Sequence, residues 1–370
     1  MAPSPEIRKV RPEDYGPVEG DCTETFQKMI NDVGSQIIAD SWDKYLIKTT
    51  VAIQLSREYI ISGTLNMGPT RPIRFGLVWQ GVNKNLTELV YTGSQTLFHI
   101  DDSWYGLRFR DMSFRCTNNA GSFMYSRAEN GPQDLICSNC AWRGTWNAGF
   151  LLDGNNINSE FGFNNCFISG SYEAAWMWSG SDKGDPQQDQ FLNYWFNDCK
   201  VEYEYGDFLH YDRGGFIKVN GGSYIILGQR PNGSPSTFFV LLHQQHYDGV
   251  EKLAVRDVRF ELRNSLSRVI YCEWGNCHIT FDTCSDTANA FKPHSVDLVS
   301  HQYYKPACVR YVNCDLVGKH KYDQDNNPNP RQQIVYDQCS HSNNRTRDSF
   351  IQSTGLSPNV KFRDDADGIV

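Results

Sequence analysis

The sequence is short of the features that most often announce a function. No apolar run approaches the length needed to cross a bilayer, and the opening MAPSPEIRKV has no apolar centre of the kind a signal peptide carries. A soluble, unsecreted chain with no membrane insertion is therefore expected. Positive charge is also scarce: 35 Lys and Arg stand against 43 Asp and Glu, a formal net charge of -8 at pH 7. Nucleic acid is gripped by neutralising phosphates with basic side chains, so this balance argues against a nucleic-acid partner. There is no Gly-x-Ser-x-Gly, no phosphate-binding loop and no dinucleotide fingerprint, and no cofactor is expected. The nine histidines, His210, His243 and His246 among them, are scattered without ligand spacing, so no metal is expected either.

What the chain does have is aromatic rings and a short phrase that keeps returning. Phe, Tyr and Trp make up 13% of the 370 residues, with glycine and asparagine as frequent punctuation, a composition suited to many short strands and turns. The phrase appears as FRDMSF (109–114), CSNCAW (137–142), FNNCFI (163–168), FNDCKV (196–201), VNGGSY (219–224), VRDVRF (255–260), FDTCSD (281–286), YVNCDL (311–316) and YDQCSH (336–341). Its fourth residue marks each copy: Met112, Cys140, Cys166, Cys199, Gly222, Val258, Cys284, Cys314 and Cys339, at a mean spacing of roughly 28 residues.

An apolar residue sits three before each marker, which breaks strict alternation. Asn or Asp usually sits immediately before it, and these residues tolerate the left-handed backbone of a tight corner. After the corner, alternation resumes: Cys166, Ile168 and Gly170 are expected on one face, and Phe167, Ser169 and Ser171 on the other. The same rule turns Val201 with Tyr203 and Phe260 with Leu262 inward, and sends Lys200, Glu202, Glu204, Arg259, Glu261 and Arg263 outward. A strand, a corner and a second strand at this period describe one coil of a parallel β-helix, whose coils bury their apolar faces only by stacking. Six of the nine markers are cysteine, so a column of buried free thiols is expected, and with it assembly in a reducing cytoplasm. CSNC at 137–140 fits the core rather than a metal site, since no second pair stands at zinc spacing.

The opening DYGPVEGDCTETFQKMI resembles the first segment of the pectate-lyase-like right-handed β-helix superfamily, through Asp14, Tyr15, Gly16, Gly20, Asp21, Thr23 and Phe26. Pro17 and Cys22 replace residues usual in that pattern. The resemblance implies an all-β, right-handed parallel β-helix with a short N-terminal helix as a lid, with Asp21 and Glu24 placed for a capping box. The implied organisation is 1–44 as attachment peptide and capping helix, 45–344 as β-helix, and 345–370 as a C-terminal tail without further coils. Many members of the superfamily are bacteriophage tailspikes that depolymerise bacterial surface polysaccharide, generally as homotrimers. The resemblance thus implies a virion tail protein assembled in the host cytoplasm, with a bacterial surface polysaccharide and other tail proteins as partners.

Chemistry is less legible. Glu202 and Glu204, at i and i+2 of one expected strand, would lie about 6.6 to 7 Å apart at the backbone. Glycosidic hydrolysis uses two carboxylates at about 5 Å for retention or 6.5–9.5 Å for inversion. Glu202, Glu204 and Asp207 are therefore the catalytic candidates. Tyr172, Glu173, Trp176, Trp178, Tyr211 and Asp212 are the substrate-binding candidates, because flat rings pack against sugar faces. Outward charges on a strand are more often simply solvated, and core packing accounts for many such rings. A non-catalytic fibre or adhesin is the rival reading. A polysaccharide lyase, drawing on Arg115, Arg143, Arg259 and Arg263, is a third. DDADG (364–368) starts like a calcium loop but ends before the Glu that such a loop needs.

Overall fold

The computed structural model describes residues 6–37, 49–68, 74–100, 104–127, 133–153, 158–180, 193–212, 215–242, 252–264, 266–272, 277–288, 297–301, 308–316, 319–322, 333–341, 351–353 and 360–363. Two compact units divide the chain: Met1–Ala174 with Gly180–Tyr194, and Ala175–Ser179 with Trp195–Val370. Both are built from short parallel strands in stacked register, for example Ser113↔Ala141 in the first unit and Phe260↔Asp286 in the second. The fold is a right-handed parallel β-helix with a short N-terminal helix, as the opening segment implied.

The corners lie where the repeated phrase puts them. Asp111, Asn139, Asn165, Asp198, Gly221, Asp257, Thr283, Asn313 and Gln338, the residues before the nine markers, all have φ between 51° and 66°. Asn, Asp and Gly reach this left-handed region at little cost, whereas the β-branched Thr283 and the longer Gln338 are held there against a penalty of about 1–2 kcal/mol. Behind the corners the thiols line up as expected. All twelve cysteines are free, and ten are buried, Cys308 and Cys339 being partly exposed. Many donate to backbone carbonyls of the coil, as Cys166 Sγ does to Cys137 O at 3.4 Å. Cys137 and Cys140 both pack inside with no exposure.

Two further corners were not legible in the phrase. In the first unit Gly76, Gly106, Asp134, Glu160 and Asn193 also have left-handed backbones. Neighbouring rungs tie this column together: the Gly106 N–H donates to Gln133 O, and the Asn193 amide to Glu160 Oε1 at 2.7 Å. The residue type changes from rung to rung, so no motif marked it. A glycine corner follows at Gly144 and Gly170. A Cβ on Gly144 would lie 2.1 Å from Cys116 O, and one on Gly170 would lie 2.0 Å from Gly144 O. The alternation expected through Ser171 therefore ends at Gly170, and Ser171 and Tyr172 are both buried.

Each unit has its own aromatic spine. In the first, Phe26 stacks on Trp79 at 6.2 Å and Trp79 on Phe109 at 6.0 Å, continuing through Phe114 and Trp142. In the second, Trp176 and Phe208 stack at 5.1 Å, and near the C-terminus Phe281, Tyr311 and Tyr336 lie in near-parallel contact, each 5.1 Å from the next. Such contacts add to the burial of 150–250 Å² per ring.

The helix Thr23–Gln36 buries Phe26, Met29, Ile30 and Val33, and so covers apolar surface at the first coils. The expected capping box does not form. Asp21 instead accepts from the Thr23 N–H and hydroxyl and from the Ser62 N–H and hydroxyl, stitching the helix start to the coil beside it. Both ends of the ladder also reach further than the sequence implied. Glu6–Val10, assigned to an attachment peptide, pairs with Thr49–Gln54. Beyond residue 344, Ile351–Ser353 pairs with Lys319–Tyr322, and Val360–Arg363 with Gln333–Asp337. Short strands without the marker phrase carried no repeat signal. The DDADG segment, His243 and His246 lie outside the described residues.

Candidate functional site

In the second unit the strand Asp207–Tyr211 runs beside Ala175–Ser179 on one side and Thr237–Leu241 on the other. Leu209 and Tyr211 are fully buried, so His210 between them faces outward, in register with Trp178 and Val240. Alternation from two inward neighbours thus places an imidazole on the outer face beside an indole. The two ring centroids are 4.8 Å apart and the planes are inclined by 40°.

Two carboxylates straddle the imidazole. Asp207 Oδ2 is 3.6 Å from His210 Nδ1, and Asp212 Oδ1 is 3.6 Å from Nε2. Each acid is anchored by its other oxygen. Asp207 Oδ1 accepts the Thr237 N–H at 2.9 Å and pairs with Arg230 Nη2 at 3.2 Å. Asp212 Oδ2 accepts the Trp178 indole N–H at 3.2 Å. Arg230, only 10% exposed, is itself fixed by donating Nε–H to Pro235 O. Burial alone pushes the His210 pKa down, but the two carboxylates outweigh it and raise the value to about 9. The ring therefore carries a positive charge at neutral pH. The oxygens facing it stand at ion-pair rather than hydrogen-bond distance, which leaves them able to accept from hydroxyl groups.

The other expected site residues are distributed differently. Tyr172, Trp176 and Tyr211 have no exposure. Surrounded on all sides by the core, they present no face to a sugar, so the substrate-contact role assigned to them from sequence is corrected. The Tyr172 hydroxyl donates to Ser169 O, and Trp176 belongs to the aromatic spine. Glu173, in the first unit, accepts from the Asn119 amide at 3.2 Å. Glu202 faces outward as expected and is paired with Lys200 at 2.5 Å. The strand Tyr194–Tyr203 ends before Glu204, which is exposed in the following bend, so extended geometry does not fix the Glu202 to Glu204 separation. Trp178, Asp207 and Asp212 are the site candidates that the structure brings together.

Glu261 is also on the outer face, yet it is only 8% exposed as a residue because Arg259 and Arg263 close over its two oxygens. Burial pushes its pKa up, and Arg263 and Arg259 more than compensate, leaving it below the usual carboxylate range. Arg115 is likewise engaged, bridging Glu88 and Glu58. Arg230 and Thr237 were missed from sequence. Arg230 sits in the turn-forming GQRPNGSPST, where only its place before Pro231 and Asn232 hinted at a fixed position. Among the described residues no group of three or more His, Cys, Asp or Glu side chains is arranged to hold a metal ion.

No family model and no curated protein matches the sequence. Solved structures do. The chain is similar to the catalytic unit of a thermostable GH87 alpha-1,3-glucanase from Streptomyces thermodiastaticus strain HF3-3, at 10% identity over 96% of this chain and 68% of that one, with a TM-score of 0.53. It is similar to full-length tailspike protein 2 of Escherichia coli O157:H7 bacteriophage CAB120 at 11% identity, covering 90% of this chain and 46% of that one, with a TM-score of 0.49. It is also similar to PfbA, a surface adhesin of Streptococcus pneumoniae, at 9% identity over 98% and 94% of the two chains, with a TM-score of 0.47. At such identities the likeness is one of fold, the right-handed β-helix.

Proposed function

We propose that this protein is a tailspike-type receptor-binding protein that holds a bacterial surface polysaccharide on the outer face around Trp178 and His210. The observation that carries the reading is the group formed by Trp178, His210, Asp207 and Asp212: an indole beside a fixed charge, with a carboxylate oxygen 3.6 Å from each ring nitrogen. Flat rings and hydroxyl acceptors are what a sugar surface needs, and the anchoring of both acids means that little side-chain entropy is lost on contact. In this reading the chain is borne on a virion tail, assembles as a homotrimer and docks to other tail proteins. Purified protein incubated with bacterial surface polysaccharides tests it. Binding is expected, and Trp178→Ala should weaken it about tenfold, equivalent to about 1.4 kcal/mol. Unchanged affinity in that variant would remove the site, and absence of binding to every surface glycan tested would remove the function.

Hydrolysis is the second reading, favoured by the exposure of Glu204 one residue beyond the strand that carries Glu202, with Asp207 opening the next strand. It assigns acid-base work to Glu202, Glu204 and Asp207. Shortening of the glycan by the wild type, lost in Glu204→Gln while binding persists, is its signature. Release of unsaturated sugars would point to lyase chemistry instead.

A further inference from the structure

The first unit carries a cleft that the proposed glycan face does not use. It has a volume of about 530 Å³, within the range of small-ligand pockets at about 300–1,000 Å³. The opening segment, singled out in the sequence for its resemblance alone, forms one wall with Arg11, Glu13 and Asp14. Gln54, Ser56 and Gln80 stand on the neighbouring coils. Gln54 and Gln80 are register partners on adjacent strands, so their backbones lie one rung apart, about 4.8 Å. Leu55 and Val82 add apolar surface, and Val82 is 65% exposed.

The lining has more acceptors than donors to offer. The Gln80 amide nitrogen already donates to Gly81 O at 2.8 Å and to Asp111 Oδ2 at 3.0 Å, which leaves its carbonyl oxygen for a ligand. Among the described residues Glu13 takes one hydrogen bond from the Tyr59 hydroxyl and an ion pair from Arg57 at 3.6 Å on the same oxygen, and Asp14 takes one hydrogen bond from the Arg11 N–H, so both carboxylates keep lone pairs in reserve. Gln54 makes no side-chain hydrogen bond among the described residues. Arg57 at Glu13 and Arg11 beside Asp14 balance the two acids, so the cleft has no surplus positive charge to draw in phosphates, nucleotides or uronic acids. A ligand rich in hydroxyl donors, uncharged or carrying an amine, matches this arrangement.

We infer that the cleft between the opening segment and the first coils is a separate binding site for a neutral or amino sugar, held by the neighbouring Gln54 and Gln80 amides and by Glu13 and Asp14. The apolar edge at Val82 meets the C–H face of the ring, and Leu55 closes the floor. This site shares no residue with the Trp178 face and does not depend on the function proposed for it.

The test is saturation-transfer NMR on the full chain with maltose, cellobiose, lactose and glucosamine as probes and glucuronate as the charged control. Transfer to at least one neutral or amino sugar is expected, with none to glucuronate. Ser56→Trp, placed in an exposed turn, fills the cleft without altering the amides, and Gln54→Ala removes one of them. Each should lower the transfer at least fivefold while the thermal midpoint stays that of the wild type. Trp178→Ala should leave the transfer intact, which separates this site from the proposed glycan face. No transfer from any probe, equal transfer to glucuronate, or transfer that survives both cleft variants would overturn the inference. So would transfer lost only in Trp178→Ala, and the glycan face would then stand without the cleft.

Discussion

Two places on the second unit's outer surface solve the same problem with opposite signs. At His210 a base is held between two acids; at Glu261 an acid is held between two bases. Both central side chains are well covered, 19% and 10% exposed, and both are shifted toward their charged forms. They differ in where the partners come from. Arg259 and Arg263 sit two residues either side of Glu261, on long side chains 48% and 43% exposed. Asp207 and Asp212 are short acids tied by Thr237, Arg230 and Trp178 on other segments of the chain. The first clamp joins several coils, whereas the second is local to one strand. Equal burial therefore does not mean equal structural consequence.

The sharpest way to break the comparison is Asp207→Asn, which leaves both the imidazolium and the covered Arg230 short of a counter-charge. A loss of about 3–4 kcal/mol is expected by urea unfolding, since removing one partner of a covered ion pair costs about that much. A loss under about 1 kcal/mol would mean that the coils do not depend on the clamp. Alkali is the next probe. Because the folded pKa of His210 lies above its unfolded value of about 6.5, its contribution is complete below pH 6.5 and disappears as pH rises through about 9. About 2–3 kcal/mol should be lost across that window, and His210→Gln should flatten the profile.

Acid tests the other side. Glu261 has a depressed folded pKa, so its contribution is present above about 4.5 and is lost as pH falls through the lower folded value. With both arginines half in water, Glu261→Gln should cost only about 1 kcal/mol. Smallest of all is Lys200→Ala: its ion pair with Glu202 is exposed, and the unfolding midpoint should move by no more than about 0.5 kcal/mol equivalent. If the two clamps cost the same, the distinction between cross-coil and local pairing fails.

The sequence reading succeeded where one physical demand recurs in one residue type. A left-handed corner selects Asn, Asp or Gly, so the column that begins at Asp111 was legible in the sequence, with Thr283 and Gln338 as its exceptions. The column at Gly76, Gly106, Asp134, Glu160 and Asn193 meets the same backbone demand with residues too varied to form a phrase. Outward charge at Glu202 and Glu261 followed from alternation, but alternation says nothing about partners. It therefore missed the closure of Arg259 and Arg263 over Glu261. The rings were the hardest to place. Trp178 and Trp176 are two residues apart and look equivalent in sequence, yet Trp176 and Met177 are buried one after the other, so alternation breaks between the two indoles. That break turns one indole inward and leaves the other outside. Arg230 was invisible because it acts from a turn on another segment, a relation set by stacking rather than by spacing.

The buried thiols also give the molecule a set of built-in clocks. A cysteine shut away from water reacts with an alkylating reagent only when its surroundings open, so each labelling rate measures the free energy of that opening. Cys308 and Cys339 are partly exposed and should react first, while Cys140, Cys166 and Cys199 wait for a larger excursion. Because these sulfurs punctuate the chain at intervals from Cys22 to Cys339, one timed reaction read by peptide mapping would show which coils breathe and which hold.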